Sequence, residues 1–179
     1  MRLSETAAKY IGQRELTGNR FDDSTDFGKR IHAVGQVTGD SWCDLFVELV
    51  CRETFPEKDA ELNKIFTKNA NATYKNFEKA GYVTGHLPCV DWVVTWVQMK
   101  DGEMVKAAPG IYKGHTGIVS AVNMKDIYAF ESIEGNTGDA SGREGDIVAK
   151  KWHRVDPTVK NGLKVVGFIQ VFGNTLKPF

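Results

Sequence analysis

Hydrophobic and polar positions fall into two regimes along this chain. Up to about residue 80, apolar residues recur at helical spacing. Ser4 caps an expected helix over 5–13, with Ala7, Ala8 and Ile11 on one side. A second runs over 26–34 and stops at Gly35. A third covers 42–53, with Pro56 beyond its end. Residues 57–68 carry Leu62, Ile65 and Phe66 at helical spacing. Asn69-Ala70-Asn71-Ala72 then leads into a helix with Tyr74, Phe77 and Ala80 on one face, ended by Gly81. After residue 91 the pattern becomes β-branched and aromatic. Strands are expected over 92–98, 114–122, 127–134, 148–154 and 164–172. Helices come first and consecutive strands follow with none between them. That order predicts an α+β fold, with N-terminal helices packed on an antiparallel β-sheet of about five strands.

The third helix starts within Gly39-Asp40-Ser41-Trp42-Cys43-Asp44-Leu45-Phe46-Val47. Ser41 has the chemistry of an N-cap, and Asp44 stands where a capping box needs a carboxylate. Cys43 then lies in the first turn, where free N–H groups and the helix dipole favour a thiolate over a thiol. Cys43, Phe46, Val47, Val50 and Cys51 share one helix face. By itself such a cysteine is either a small buried hydrophobe or a nucleophile. Cys51, two turns on, reads as core packing, and Cys89 as a loop thiol.

The second and third strands are joined by Asn123-Met124-Lys125-Asp126, a short hairpin connection. Pairing Asn123 with Asp126 and walking back along the ladder sets Val119 opposite Phe130, Gly117 opposite Ser132 and His115 opposite Glu134. Directly opposite residues share a sheet face, whereas a one-residue slip separates them. An imidazole beside a carboxylate is an oriented base. With the Cys43 helix packed on the same face, thiol, base and orienter converge. Asn136 lies within reach, and Glu131 points to the other face.

Composition narrows the function. Lys+Arg and Asp+Glu both number 23, for zero net charge, with 41% hydrophobic and 26% charged residues. That balance excludes a global electrostatic footprint for nucleic acid or an anionic membrane. One domain over 1–179 is expected. Three cysteines without a C-x-x-C pair make neither a disulfide framework nor a zinc site. The N-terminus carries charges within its apolar stretch, so synthesis in the cytoplasm without a signal peptide is expected. No membrane span is expected, and a monomer is. Asp22, Asp23 and Asp26 have calcium-binding chemistry but not the spacing of a hand loop, so an acidic loop capping the next helix is the preferred reading and no metal is expected. His32, His86 and His153 have no motif partners. Trp42 and Trp92 are the candidates for substrate contact, although for Trp92, Trp96 and Trp152 core packing is the preferred reading over a binding groove.

At this point four blocks become recognisable. Ser41-Trp42-Cys43-Asp44-Leu45-Phe46-Val47 resembles the W-C-x-x-F-V signature of CHAP domains, the cysteine- and histidine-dependent amidohydrolases and peptidases. Gly114-His115-Thr116-Gly117-Ile118-Val119 is similar to their G-H-x-G-I-V strand. Ile133-Glu134-Gly135-Asn136-Thr137 is similar to their I-E-G-N-T segment, and Ile11 to Asn19 to their E-x-x-G-N lead-in. The order is conserved across residues 11–137. The resemblance implies a papain-like (CHAP/NlpC-type) fold and cleavage of an amide bond in peptidoglycan, by an amidase or endopeptidase. It makes Cys43 the nucleophile, His115 the base, Glu134 the orienter and Asn136 a supporting polar residue, with no cofactor. The setting it implies is a phage lysin released through a holin or an antibacterial effector delivered by a secretion apparatus, acting on the cell wall or in the periplasm. An effector would have an immunity partner. Two departures stand out: Asp91-Trp92-Val93-Val94 lacks the glycine of the family's preceding strand, and the segment 54–90 is long. The competing reading is a non-catalytic CHAP-like protein that binds the wall or a partner.

Overall fold

A computed structural model describes residues 1–138 and 145–172. Five α-helices precede or flank the strands: α1 (Leu3–Ala8), α2 (Asp26–Ala33), α3 (Cys43–Thr54), α4 (Asp59–Ile65) and α5 (Ala70–Lys79). The strands are β1 (Thr84–Gly85), β2 (Val93–Lys100), β3 (Glu103–Met104), β4 (Lys106–Ala108), β5 (Ile111–Tyr112), β6 (Gly114–Asn123), β7 (Asp126–Thr137), β8 (Ile147–Arg154) and β9 (Gly162–Ile169). The fold is α+β and every strand pair is antiparallel. The main sheet runs β1-β9-β2-β6-β7-β8, with β3 added to β2, while β4 and β5 form a separate hairpin. The five expected strands correspond to β2, β6, β7, β8 and β9. The short β1, β3, β4 and β5 were not anticipated, since two or three residues carry no measurable period.

Two apolar layers sandwich the sheet. One unites all five helices with Val93, Ile118, Ile133, Val148 and Ile169. The other, on the opposite face, holds Trp92, Val94, Trp96, Val119, Phe130 and Phe168. Trp96 on β2 and His153 on β8 meet with ring centroids 4.9 Å apart although β6 and β7 lie between those strands. The sheet therefore curls, with the second layer inside the curl. Helix α3 is held against the outer face by Leu45, Phe46 and Val47, all fully buried. Each such side chain contributes about 1.5–3 kcal/mol.

Helix α1 is shorter than its pattern. It ends at Ala8, and its N-cap is Arg2 rather than Ser4. Ser4 instead donates its N–H and hydroxyl to Asp91, at 3.0 and 2.5 Å, and Arg2 pairs with the same carboxylate at 2.7 Å. Asp91 sits at φ +68° immediately before Trp92, a left-handed conformation at the point where the resemblance led us to expect a glycine. Ile11, expected on the buried side, is 42% exposed.

The long segment 54–90 is fastened along α3. Arg52, in the last turn of α3, binds Glu48 on the same helix and reaches Asp59 and Asn63 on α4. Asn71 on α5 donates to the Trp96 carbonyl at 3.2 Å. Among the described residues, no helix is long and apolar enough to cross a membrane.

Candidate functional site

The start of α3 carries the first of the expected site residues. Cys43 is its first residue and Trp42 its N-cap, and no side chain caps the end. The capping box expected of Ser41 and Asp44 is not formed, because buried donors elsewhere claim both side chains. The Asp44 carboxylate accepts from the Thr73 hydroxyl at 2.7 Å and from the backbone N–H groups of Thr67 and Lys68. The Ser41 hydroxyl accepts from the Asn136 amide at 2.7 Å. The first-turn N–H groups of α3 are thus left without a side-chain acceptor, next to the Cys43 sulfur.

Burial pushes the Asp44 carboxyl up to about 7, assisted by Glu48 one turn on. Cys51, buried on the same helix, has its thiol raised by desolvation and takes no part in the site. Cys89 lies in a half-buried loop.

The hairpin of β6 and β7 supplies the base. Its turn is the two-residue connection expected, with Asn123 opposite Asp126. The register beyond it differs from a regular ladder. β7 inserts three residues before Phe130 pairs with Val122, and β6 inserts Ser120 between Ala121 and Val119. Val119 therefore faces Ser132, not Phe130. The net slip is even, so His115 and Glu134 keep a common face, and their side chains meet on a diagonal at 2.9 Å between Nε2 and Oε2.

That common face is not the one on which α3 packs. His115 pairs with Trp96 on β2, and its ring lies 5.6 Å from that indole, inside the curl. Helix α3 lies on the outer face, against Ile118 and Ile133. The two sides meet at the end of the strands: Gly135 brings β7 so close to α3 that a Cβ there would lie 2.6 Å from Phe46 and 2.7 Å from Trp42. The first residue of α3 thereby reaches the histidine around the strand end.

Glu134 is 1% exposed, and four donors surround it. Oε2 accepts from His115 at 2.9 Å and from Thr137 at 3.4 Å. Oε1 accepts from Ser132 and from His153, each at 2.5 Å. Burial opposes the charge, but the hydrogen bonds of His115 and His153 outweigh it and hold the carboxyl well below the usual range. Glu134 is a fixed negative charge and an acceptor only.

For His115, burial would lower the pKa. Cys43 and Glu134 raise it to about 10. Its Nδ1 is buried with no hydrogen-bond partner among the described residues, so the nitrogen not committed to Glu134 is the one left for Cys43. Cys43, 5% exposed, lies close enough to the ring to raise its pKa.

Asn136 is fully buried at φ +55°, within the irregular stretch of β7 between Glu134 and Thr137. Its amide holds Ser41, and its Oδ1 has no hydrogen-bond partner among the described residues. It supports the cysteine turn rather than the histidine.

The other sequence candidates fall elsewhere. Trp42 is fully buried among Phe21 and Phe27, and its indole N–H donates to Glu15. Trp92 is 8% exposed in the inner layer. Neither ring is presented to a ligand, because each supplies the aromatic bulk of a core layer. Trp152 is 59% exposed. Asp22 caps its own turn through Ser24, Asp23 faces His32, and Asp26 pairs with Arg30. No group of acidic, histidine or cysteine side chains suited to a metal occurs among the described residues.

His153 is the site residue that sequence reasoning missed. The signal is its pairing with Phe130, which sets it on the same β7 face as Ser132 and Glu134. The long connection between β7 and β8 hides that register in the sequence.

No family model, curated protein or solved structure matches this chain.

Proposed function

We propose that this protein is a cysteine amidohydrolase of CHAP type, papain-like in fold, that hydrolyses an amide bond of peptidoglycan as a lysin or a delivered antibacterial effector. The observation that carries the reading is the buried His115. Nε2 is fixed on a carboxylate held ionised, and Nδ1 is left without a partner beside Cys43. A purely structural histidine in a core has no reason to leave a ring nitrogen unsatisfied.

In the proposed reaction the Cys43 proton already resides on His115, whose pKa Cys43 and Glu134 raise, and the thiolate sulfur attacks the amide carbonyl carbon. The tetrahedral oxyanion is met by N–H groups at the uncapped start of α3. Collapse breaks the C–N bond as His115 gives its proton to the leaving amine. Water, deprotonated by His115, then attacks the thioester, releases the carboxylic acid and restores the Cys43 thiolate beside protonated His115. Glu134 holds the ring and balances its charge throughout.

The test is digestion of purified peptidoglycan by wild type and by Cys43→Ala, with the released fragments weighed by mass spectrometry. Fragments from the wild type alone support the reading, and their masses separate amidase from endopeptidase. Absence of fragments from both proteins across several wall types overturns it in favour of a binding protein.

A further inference from the structure

The mechanism above uses one histidine, yet the Glu134 carboxylate is gripped by two. His115 approaches Oε2 from β6 and His153 approaches Oε1 from β8, at 2.9 and 2.5 Å. An ionised carboxylate only accepts, so each ring must present an N–H through Nε2. The two contacts arrive from strands on either side of β7 and fix both oxygens of one group. His153 is itself seated by rings: its centroid lies 4.9 Å from Trp96 and 5.5 Å from Phe130. Trp96 in turn stands 5.6 Å from His115. One indole and one carboxylate therefore touch both imidazoles. Unlike His115, whose side chain is 2% exposed, the His153 side chain is 22% exposed.

We propose that His153 is a positioning residue of the site, which locks the Glu134 carboxylate in the orientation that holds His115 towards Cys43. Its role in turnover rests on the hydrolase reading above, whereas its role in orienting His115 does not. Ser132 also donates to Oε1, but it lies on β7 itself, two residues from Glu134, and moves with it. His153 references the carboxylate to a different strand. Without that outside anchor Glu134 can rotate about its own side chain, and the His115 ring follows.

The test compares His153→Phe, which keeps the ring against Trp96 and Phe130 and removes the donor, with His153→Gln, which restores an N–H donor. Two readouts are taken on folded protein. The first, needing no substrate, is solvent exchange of the His115 Nε2 proton, followed by NMR on histidine-labelled protein. The second is kcat and KM for release of wall fragments. In the Phe variant, exchange is expected to accelerate at least roughly ten-fold and kcat to fall about 10- to 100-fold while KM stays within about two-fold. The Gln variant is expected to return both to within about three-fold of wild type. Wild-type exchange and kcat in the Phe variant overturn the proposal. So does equal impairment of both variants, which marks a packing role. Should the Phe variant not fold, the Gln variant decides: near-native exchange supports the proposal and impaired exchange overturns it. If the wild type releases no wall fragments, the hydrolase reading fails, while the exchange measurement still decides the role of His153.

Discussion

Gly117 lies so close to Glu134 that a Cβ at position 117 would stand 2.7 Å from the glutamate Cγ and 3.1 Å from the Ile133 carbonyl oxygen. The small residue on β6 is what allows the Glu134 side chain to lie across the neighbouring strand and reach His115. In the sequence Gly117 stands within the expected strand 114–122. In the fold it is the gap that the carboxylate fills.

Gly117→Ala is expected to push Glu134 off its hydrogen bonds while leaving the sheet formed. Overpacking of this kind costs roughly 1–3 kcal/mol, and a displaced orienter lowers kcat about 100-fold. Urea denaturation together with wall-fragment release checks both figures. Unchanged kcat in the folded variant shows that the site tolerates a displaced Glu134.

Asn136 offers a cleaner separation of backbone from side chain. Its φ of +55° lies in the left-handed region, which Asn tolerates and Ala does not, and its amide bonds Ser41. Asn136→Gly and Asn136→Ala both lose that bond, but only Ala keeps the strain without a compensating contact. Ala is therefore expected to be less stable than Gly by about 1 kcal/mol. Both variants are expected to lose activity, since the turn before Cys43 is no longer held from β7. Equal stability of the two would mean that β7 relaxes out of the left-handed conformation at no cost.

Trp42 adjoins Cys43 in sequence, which made it a candidate for substrate contact, but its ring belongs to the core and its indole N–H to Glu15. Trp42→Phe takes this donor from the half-buried Glu15 carboxylate and shrinks a fully buried ring, and is expected to cost about 1–3 kcal/mol. Under the proposed activity, KM for peptidoglycan is expected to stay within about two-fold, because the ring is buried in the core. A raised KM at undiminished stability would restore the substrate-contact role.

The helices were readable from their period, as in Tyr74 and Phe77 on α5, and the long strands from β-branched and aromatic runs, as in Val93 to Val97 on β2. The meeting of His115 with Glu134 was also readable, but partly by cancellation. Insertions on β7 and β6 slip the register by an even number, so parity survived while the ladder partners changed. Three features had no local signal. Asp44 has the spacing of a capping box, but tertiary donors at Thr73, Thr67 and Lys68 compete for it and win. The face on which α3 packs is decided by the curl of the sheet, a non-local property. His153 joins the site through a strand pairing whose connection is too long to fix a register by inspection.

Asp44 gives a prediction in pH. Burial, and then Glu48, raise its folded-state pKa to about 7, whereas the unfolded chain has an ordinary aspartate near 4. The folded state therefore binds the proton more tightly. The stability contributed by the protonated carboxyl is complete below the unfolded pKa and is lost as pH climbs through the folded one. Asp44→Asn keeps an acceptor for Thr73 or a loop N–H and does not titrate. Glu48 titrates in both proteins and largely cancels in the comparison. The stability of wild type relative to Asp44→Asn is thus expected to fall by on the order of 2–4 kcal/mol between pH 4 and pH 8, measured by urea denaturation at stepped pH. A flat difference would mean that the carboxylate ionises inside the fold without penalty, satisfied by the Thr73 hydroxyl and the N–H groups of Thr67 and Lys68. A rising difference would mean that those donors prefer the charge. In either case Asp44 would be a permanent anion beneath Cys43, opposing the negative charge that the proposed mechanism places on that sulfur.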